Sequence, residues 1–287
     1  MQEKFIGFNT ASITHAGNFL ALMLKIKLNN QFCQTYYLQA NILSDLLLIL
    51  QSRLQIIIQR LEHKGDDYKS ELITYNEDFV THTPLIDMSE IEQPNPAQRI
   101  MSITLKPAET WCTIILVLQN EEVVSLRIDD MQVEALLVGI RQALENSEDN
   151  NIIKYLSSNL EFLMLYAVDL TKVPNIDYQQ YTQDSWKLNL FTHYLGVLFC
   201  CETTAGKKII SGAVIKTSAP HLSETENSIV MSLIDKSPKL KSMHNDAEPC
   251  QIFSRIISSH SGKMLTLEEC LRPLHAFYLE TQATLNS

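Results

Sequence analysis

Residues 12–54, SITHAGNFLALMLKIKLNNQFCQTYYLQANILSDLLLILQSRL, lie over residues 102–144, SITLKPAETWCTIILVLQNEEVVSLRIDDMQVEALLVGIRQAL, at a constant offset of 90 with no gap. Ser12-Ile13-Thr14 falls on Ser102-Ile103-Thr104, Leu28 and Asn30 on Leu118 and Asn120, Leu46-Leu47 on Leu136-Leu137, and Leu54 on Leu144. These 8 identities in 43 positions are modest. The stronger signal is that the hydrophobic pattern changes from strand period to helix period at the same place in both copies. That reads as a duplicated strand-strand-strand-helix unit.

The first copy opens with a short strand around Ser12–Thr14 and turns at His15-Ala16-Gly17-Asn18. From Phe19 to Leu28 apolar residues alternate, with Lys25 and Lys27 on the opposite face. Asn29-Asn30 suits a tight turn, because Asn tolerates positive φ. Phe32 to Leu38 returns as a third strand, and Asn41 is placed to cap a helix. Leu43, Leu46, Leu47, Leu50, Leu54, Ile57, Ile58 and Leu61 then share one helical face. Leu48, Ile49 and Ile56 lie off that face, so a second face is covered by the C-terminal half or by another subunit. The second copy repeats the plan over Ile100–Leu105, Trp111–Leu118, Val123–Ile128 and a helix from Met131 capped by Asp129 or Asp130. Gly139 stands where the first helix has Ile49, which suits close approach of another backbone or a plain surface position.

Between the copies, residues 63–98 hold a helix from Asp66 to about Phe79 and a polar run ending in Glu92-Gln93-Pro94-Asn95-Pro96, which cannot continue a helix or a central strand. Residues 150–287 read as mainly helical. Ile152–Leu170 is a helix, Trp186–Phe199 is ambiguous, a hairpin falls near 194–216, a helix starts near Glu224, and a final helix opens on the capping box Thr266-Leu267-Glu268-Glu269. The expected organisation is therefore α+β: two tandem β-β-β-α units, 1–62 and 99–149, related by a pseudo-two-fold, joined by the connector and followed by the C-terminal region. A degraded third repeat in that region has no constant offset to support it.

The formal charge of −10 argues against a broad phosphate-binding surface. It concentrates in residues 99–149, with 4 Lys/Arg against 9 Asp/Glu, while residues 150–287 carry 12 against 13. A local basic patch of Lys207, Lys208, Lys216, Lys236, Lys239 and Lys241 stays compatible with that balance. The six cysteines sit mostly in apolar runs without a C-x-x-C pair, which points to reduced, buried thiols in a cytoplasmic protein. The most apolar segment, Ile42–Leu61, is interrupted by Ser44, Asp45 and Arg53, so no membrane span is expected.

Arg255 and His260 have the Arg-x4-His spacing of a class of helical RNases, but residues five apart on a helix diverge. His193, His221, Cys200, Cys201 and Cys250 are too irregularly spaced for a zinc site. Cys270 and His275 as nucleophile and base diverge in the same way. Thr203-Thr204-Ala205-Gly206-Lys207-Lys208 lacks the spacing of a phosphate loop, and Asp129-Asp130 with Glu121-Glu122 reads as a cap and a solvated turn rather than a metal site. No cofactor or metal is expected.

The segments Glu92-Gln93-Pro94-Asn95-Pro96-Ala97-Gln98-Arg99, Pro174-Asn175-Ile176-Asp177-Tyr178, Cys200-Cys201, Gly206-Lys207-Lys208-Ile209 and Leu267-Glu268-Glu269-Cys270-Leu271-Arg272-Pro273-Leu274-His275 resemble the YjeJ family of uncharacterised bacterial proteins. The resemblance spans nearly the whole chain and implies a bacterial, cytoplasmic setting, with no activity to carry over. At fold level, a meander followed by one long helix, used twice, is similar to the single-stranded-DNA-binding fold of the transcriptional positive-cofactor family. There a curved basic sheet is exposed; here Lys25 and Lys27 have only Arg127 among acids as counterpart.

The leading expectation is a non-enzymatic binding or assembly protein, with Leu48, Ile49 and Ile56 at an interface to a protein partner or a second copy. The alternative is a nucleic-acid-binding regulator using Lys25, Lys27, Lys207 and Lys208, and after it a nuclease, toxin or phage-defence component using Arg255 and His260.

Overall fold

A computed structural model describes residues 3–171, 176–203, 208–244, 247–259 and 263–285. The chain forms two compact units, Met1–Leu160 and Glu161–Ser287. The first contains β1 (Glu3–His15), β2 (Asn18–Leu28), β3 (Cys33–Leu38), α1 (Ala40–Lys64), α2 (Asp66–Thr81), α3 (Met88–Glu92), β4 (Ile100–Pro107), β5 (Trp111–Leu118), β6 (Val123–Asp129), α4 (Asp130–Glu145) and α5 (Asn150–Asn159). Its six-stranded sheet has the order β3-β2-β1-β6-β5-β4.

Two short parallel contacts relate the copies. Lys4 of β1 pairs with Arg127 of β6. Tyr37 of β3 bridges Arg99, just before β4. Each contact is the other with the copies exchanged, the relation a pseudo-two-fold produces. The β2-β3 and β5-β6 turns repeat it in detail. Gln31 and Glu121 both have positive φ, 70° and 68°. The Asn30 side chain accepts from Phe32 N–H at 3.1 Å, and that of Asn120 from Glu122 N–H at 3.1 Å. The shared Asn thus has a physical cause: its amide oxygen closes the turn.

The gapless alignment fails in the first strand. Ile115 follows Lys25 by 90 residues, but their cross-strand partners, Thr104 and Asn9, are 95 apart. Ser12-Ile13-Thr14 and Ser102-Ile103-Thr104 are therefore identical without being equivalent, and β1 extends well beyond the short strand expected. An odd slip reverses which face each side chain takes.

Even-numbered residues of β2 and β5, Leu22 to Leu28 and Cys112 to Leu118, are buried on the helix side. There α1 packs with α4, α2 and α5. Leu48 is 5% exposed and Ile49 fully buried, with Ile56 half-buried. This corrects the interface expectation: helices of the same unit flank the second face of α1, because the connector and the α5 turn fold back onto it. Among the described residues α1 alone is long and apolar enough to cross a membrane, but 56% of that window is buried in the chain. It is packed as a core helix. Gly139 permits the close approach of β1, since a Cβ there would stand 2.7 Å from the Phe8 ring.

Arg53 of α1 is 3% exposed. Its Nε and Nη2 donate to Asp130 at 2.7 Å each, and its Nη1 and Nη2 to the carbonyls of Ala108 and Glu109 at 2.9 Å. Arg60 also reaches Asp130. Helix α1 of one copy is thereby tied to the start of α4 and the β4-β5 turn of the other.

The second unit contains β7 (Phe162–Asp169), β8 (Asp177–Gln180), α6 (Ser185–Leu188), β9 (His193–Thr203), β10 (Lys208–Thr217), α7 (Glu224–Lys236), α8 (Pro238–His244), β11 (Ala247–Ile257) and α9 (Leu267–Leu285). Its sheet, β11-β9-β10-β7-β8, carries α7 and α8 on one face and α9 on the other. The mainly helical expectation is corrected here. Within residues 152–170, α5 ends at Asn159 and β7 follows, every residue of that strand being buried. A strand buried on both faces is uniformly apolar and loses the period-two signature. The expected hairpin is β9-β10, and the Thr266–Glu269 capping box forms.

Candidate functional site

The outer face of the first unit's sheet carries chemistry that the core does not require, and it differs between the copies. In the first copy it is covered. After α2 the chain crosses β1 at Gly7, where a Cβ would lie 2.2 Å from the carbonyl oxygen of His82. Residues 84–92 then form a strap. Ile86 and Ile91 pack on Ile13, Met23 and Tyr37. Glu90 enters the sheet face, taking a 2.6 Å ion pair from Lys25 and a 2.6 Å hydrogen bond from the Thr35 hydroxyl. Burial pushes the Glu90 carboxyl up, yet the hydrogen bonds from Lys25 and Thr35 outweigh it and hold the group below its ordinary range.

Among the described residues of its unit the second copy has no such strap, since after α5 the chain enters β7. The positions 90 residues on from Ala21, Lys25, Thr35 and Tyr37 are Trp111, Ile115, Ser125 and Arg127. Trp111, Ile115 and Val117 are half-buried, and Val123 is 62% exposed. The Arg127 guanidinium lies 4.5 Å from the Trp111 ring centroid and donates to Asp129 at 2.8 Å. The result is an apolar ridge with an ion-paired cation at its margin.

Lys25 is thus engaged by Glu90, and Lys27 lies half-buried on the same face. Lys207 falls outside the described residues, as does the side chain of Lys208. Lys216 is 7% exposed, donating to Leu188 O and lying over Tyr194. Lys239 pairs with Asp177 at 2.8 Å and Lys241 with Asp235 at 4.0 Å. Of the lysines expected to form a basic patch, those with described side chains include Lys216, Lys239 and Lys241, each held by a neighbouring group. Arg255 is on β11, not a helix, pairing with Glu280 at 2.7 Å over the Phe277 ring. His260 falls outside the described residues. Cys270 is fully buried and its thiol is pushed up to about 12 by burial, which keeps it from acting as a thiolate nucleophile. Cys33, Cys112, Cys200 and Cys270 are free, whereas Cys201 is disulfide-bonded, against the uniformly reduced expectation.

One histidine of the second unit meets a carboxylate. Glu226 is 1% exposed; it pairs with His221 Nδ1 at 2.9 Å and accepts from the Ser254 hydroxyl at 2.7 Å. Leu222, between His221 and the cap Ser223, has a φ of 62°. Sequence spacing alone could not bring Ser254 here, since it lies 28 residues from Glu226. The hydroxyl donates to the carboxylate and not to the imidazole, so this arrangement anchors α7 to β11 rather than activating a nucleophile. Among the described residues no group of His, Cys, Asp and Glu is placed to hold a metal ion. Among the described residues, a 620 Å³ cavity near Ser258, Lys263, Glu268 and Arg272 and a 400 Å³ apolar groove near Leu47, Leu137, Ile153 and Leu160 bring no convergent catalytic groups together.

Burial lowers the pKa of His193 and of His244. The unfolded chain binds protons near the ordinary histidine value of about 6.5, which the folded unit refuses. Their contribution to stability is therefore full above that pH and is lost as pH falls through it. Melting of wild type between pH 7 and pH 5 is expected to show this slope, and His193→Gln/His244→Gln to flatten it.

The fold and this face define a duplicated β-β-β-α scaffold fused to a sheet covered by helices on both sides. A family model for YjeJ-like proteins matches residues 1–284. The Escherichia coli (strain K12) protein described as uncharacterized protein YjeJ is 32% identical over 284 residues, covering 97% of this chain and 95% of that protein. The chain belongs to the YjeJ-like family. No solved structure matches it.

Proposed function

We propose that this is a non-catalytic binding and assembly protein that pairs with a second copy through the outer face of β5 and β6. The observation that carries the reading is the asymmetry between the copies: one face covered by the strap, the matching ridge of Trp111, Ile115, Val117 and Val123 without a strap. Trp and Arg are residue types enriched at interface centres. Arg127 is ion-paired with Asp129, which Lys4 also reaches at 2.8 Å, so the margin of the ridge is an ion-pair cluster rather than a bare cation. Free Cys33, Cys112, Cys200 and Cys270 support a reducing bacterial cytoplasm as its setting, with the Cys201 disulfide standing against it.

Size-exclusion chromatography with light scattering tests the reading. Wild type is expected to run as a dimer, and Ile115→Glu as a monomer with an unchanged melting temperature. A wild-type monomer at tens of micromolar, or a dimer indifferent to Ile115→Glu, would remove it. The nucleic-acid alternative predicts salt-sensitive binding to single- or double-stranded probes at ~50 mM salt, and the engagement of Lys25 by Glu90 weighs against it.

A further inference from the structure

We propose that the strap is an internally bound ligand: residues 84–92 fill, in cis, a docking site on the outer face of β2 and β3 for an acidic, self-capped turn of a partner protein. The proposal is independent of the dimer reading, since it concerns the other copy of the scaffold.

Four observations separate a bound ligand from a piece of core. First, the strap closes on itself. Asp87 accepts from Ser89 N–H at 2.9 Å, and Glu90 accepts from Asp87 N–H at 3.0 Å, completing a capping box within five helical residues. The turn's own backbone bonds, Glu90 N–H to Asp87 O and Gln93 N–H to Ser89 O, are likewise internal. Second, it is held through side chains at a few points. Asn9 Nδ2 donates to Pro84 O and the Tyr37 hydroxyl to Glu90 O, each at 2.9 Å, beside the Lys25 and Thr35 contacts. Third, much of it faces water, with Leu85 89% and Met88 62% exposed. Few buried contacts are what a segment that opens below the global unfolding energy shows. Fourth, the carboxylate receptor is specific to this copy. Ile115 and Ser125 replace Lys25 and Thr35 in the other, so the duplicated scaffold does not itself need it.

The chemistry names the competitor. It offers a glutamate at the fourth residue after one isoleucine and directly before a second, as Ile86, Glu90 and Ile91 do. The carboxylate meets Lys25 and Thr35 while the two isoleucines meet Met23 and Ile13. Pro94 and Pro96 keep the chain beyond the strap out of the sheet, so release frees a tethered loop rather than unravelling a strand. A tethered occupant competes at an effective concentration in the millimolar range, which keeps the site closed to weak ligands.

The test uses the full chain and a fluorescein-labelled peptide of residues 83–93. Glu90→Gln/Ile91→Ser weakens the strap, and Lys25→Met added to it removes the receptor cation. Hydrogen exchange of residues 86–92 is expected to quicken in the weakened chain. The peptide is expected to bind that chain at least about tenfold more tightly than wild type, and to lose about tenfold when Lys25→Met is added. Three results overturn the proposal: unchanged exchange, released strap without tighter peptide binding, or peptide binding indifferent to Lys25→Met. A weakened chain that fails to fold overturns it equally, because the strap would then be core.

Discussion

Asp130→Ala is expected to destabilise the N-terminal unit by about 3–5 kcal/mol. The substitution leaves the Arg53 guanidinium, whose side chain is 4% exposed, with only the carbonyls of Ala108 and Glu109 for partners. A cation kept dry without its carboxylate is among the costliest defects available to a single substitution. The control separates that penalty from the worth of the pair. Arg53→Met/Asp130→Leu removes both charges and fills much the same volume, so it is expected to cost far less than the single change. Arg60, whose side chain is 20% exposed, can then turn to solvent. Urea unfolding followed by fluorescence measures both. A double variant at least as damaged as Asp130→Ala would show that packing, and not the stranded charge, sets the cost.

Gly7→Ala is expected to cost about 3 kcal/mol. Its Cβ would stand 2.2 Å from the carbonyl oxygen of His82 and 2.6 Å from the carbonyl carbon. Both are backbone atoms, so no rotamer change relieves the clash. The chain must shift where α2 hands over to the strap. A fall in melting temperature of about 6–12 °C is the expected reading for a unit of this size. Gly17→Ala provides the contrast: nothing lies within 4 Å of its Cβ, but its φ is +77°, so its cost is conformational only, about 1 kcal/mol. Equal effects from the two would argue against the close crossing at Gly7.

The parts legible from one sequence were those whose pattern is local. The β2-β3-helix alignment at offset 90 and the turns at Asn30 and Asn120 hold because amphipathic alternation and turn chemistry act over a few residues. The first strand was misaligned because three chance identities outweighed a pairing register that sequence does not display. β7 was read as helix because burial on both faces erases periodicity. In the sequence the strap is a polar run within the connector. Nothing in Asp87-Met88-Ser89-Glu90 says that its glutamate meets Lys25, 65 residues away. Its capping-box spacing was the available clue to order.

By itself, the sequence determined the duplication, the α+β class, the capping box that opens α9 and family membership, each a matter of short-range periodicity or of residue identity along the chain, whereas the cap expected of Asn41 falls to Gln39. Tertiary structure alone decided which faces are covered. It buried Leu48 and Ile49, joined Arg53 to Asp130, engaged Lys25 and set Glu90 on one copy while the ridge around Trp111 kept no strap. The physical reason is that burial and ion pairing depend on segments far apart in the chain. Two nearly equivalent scaffolds acquire different surfaces according to what the rest of the chain lays over them.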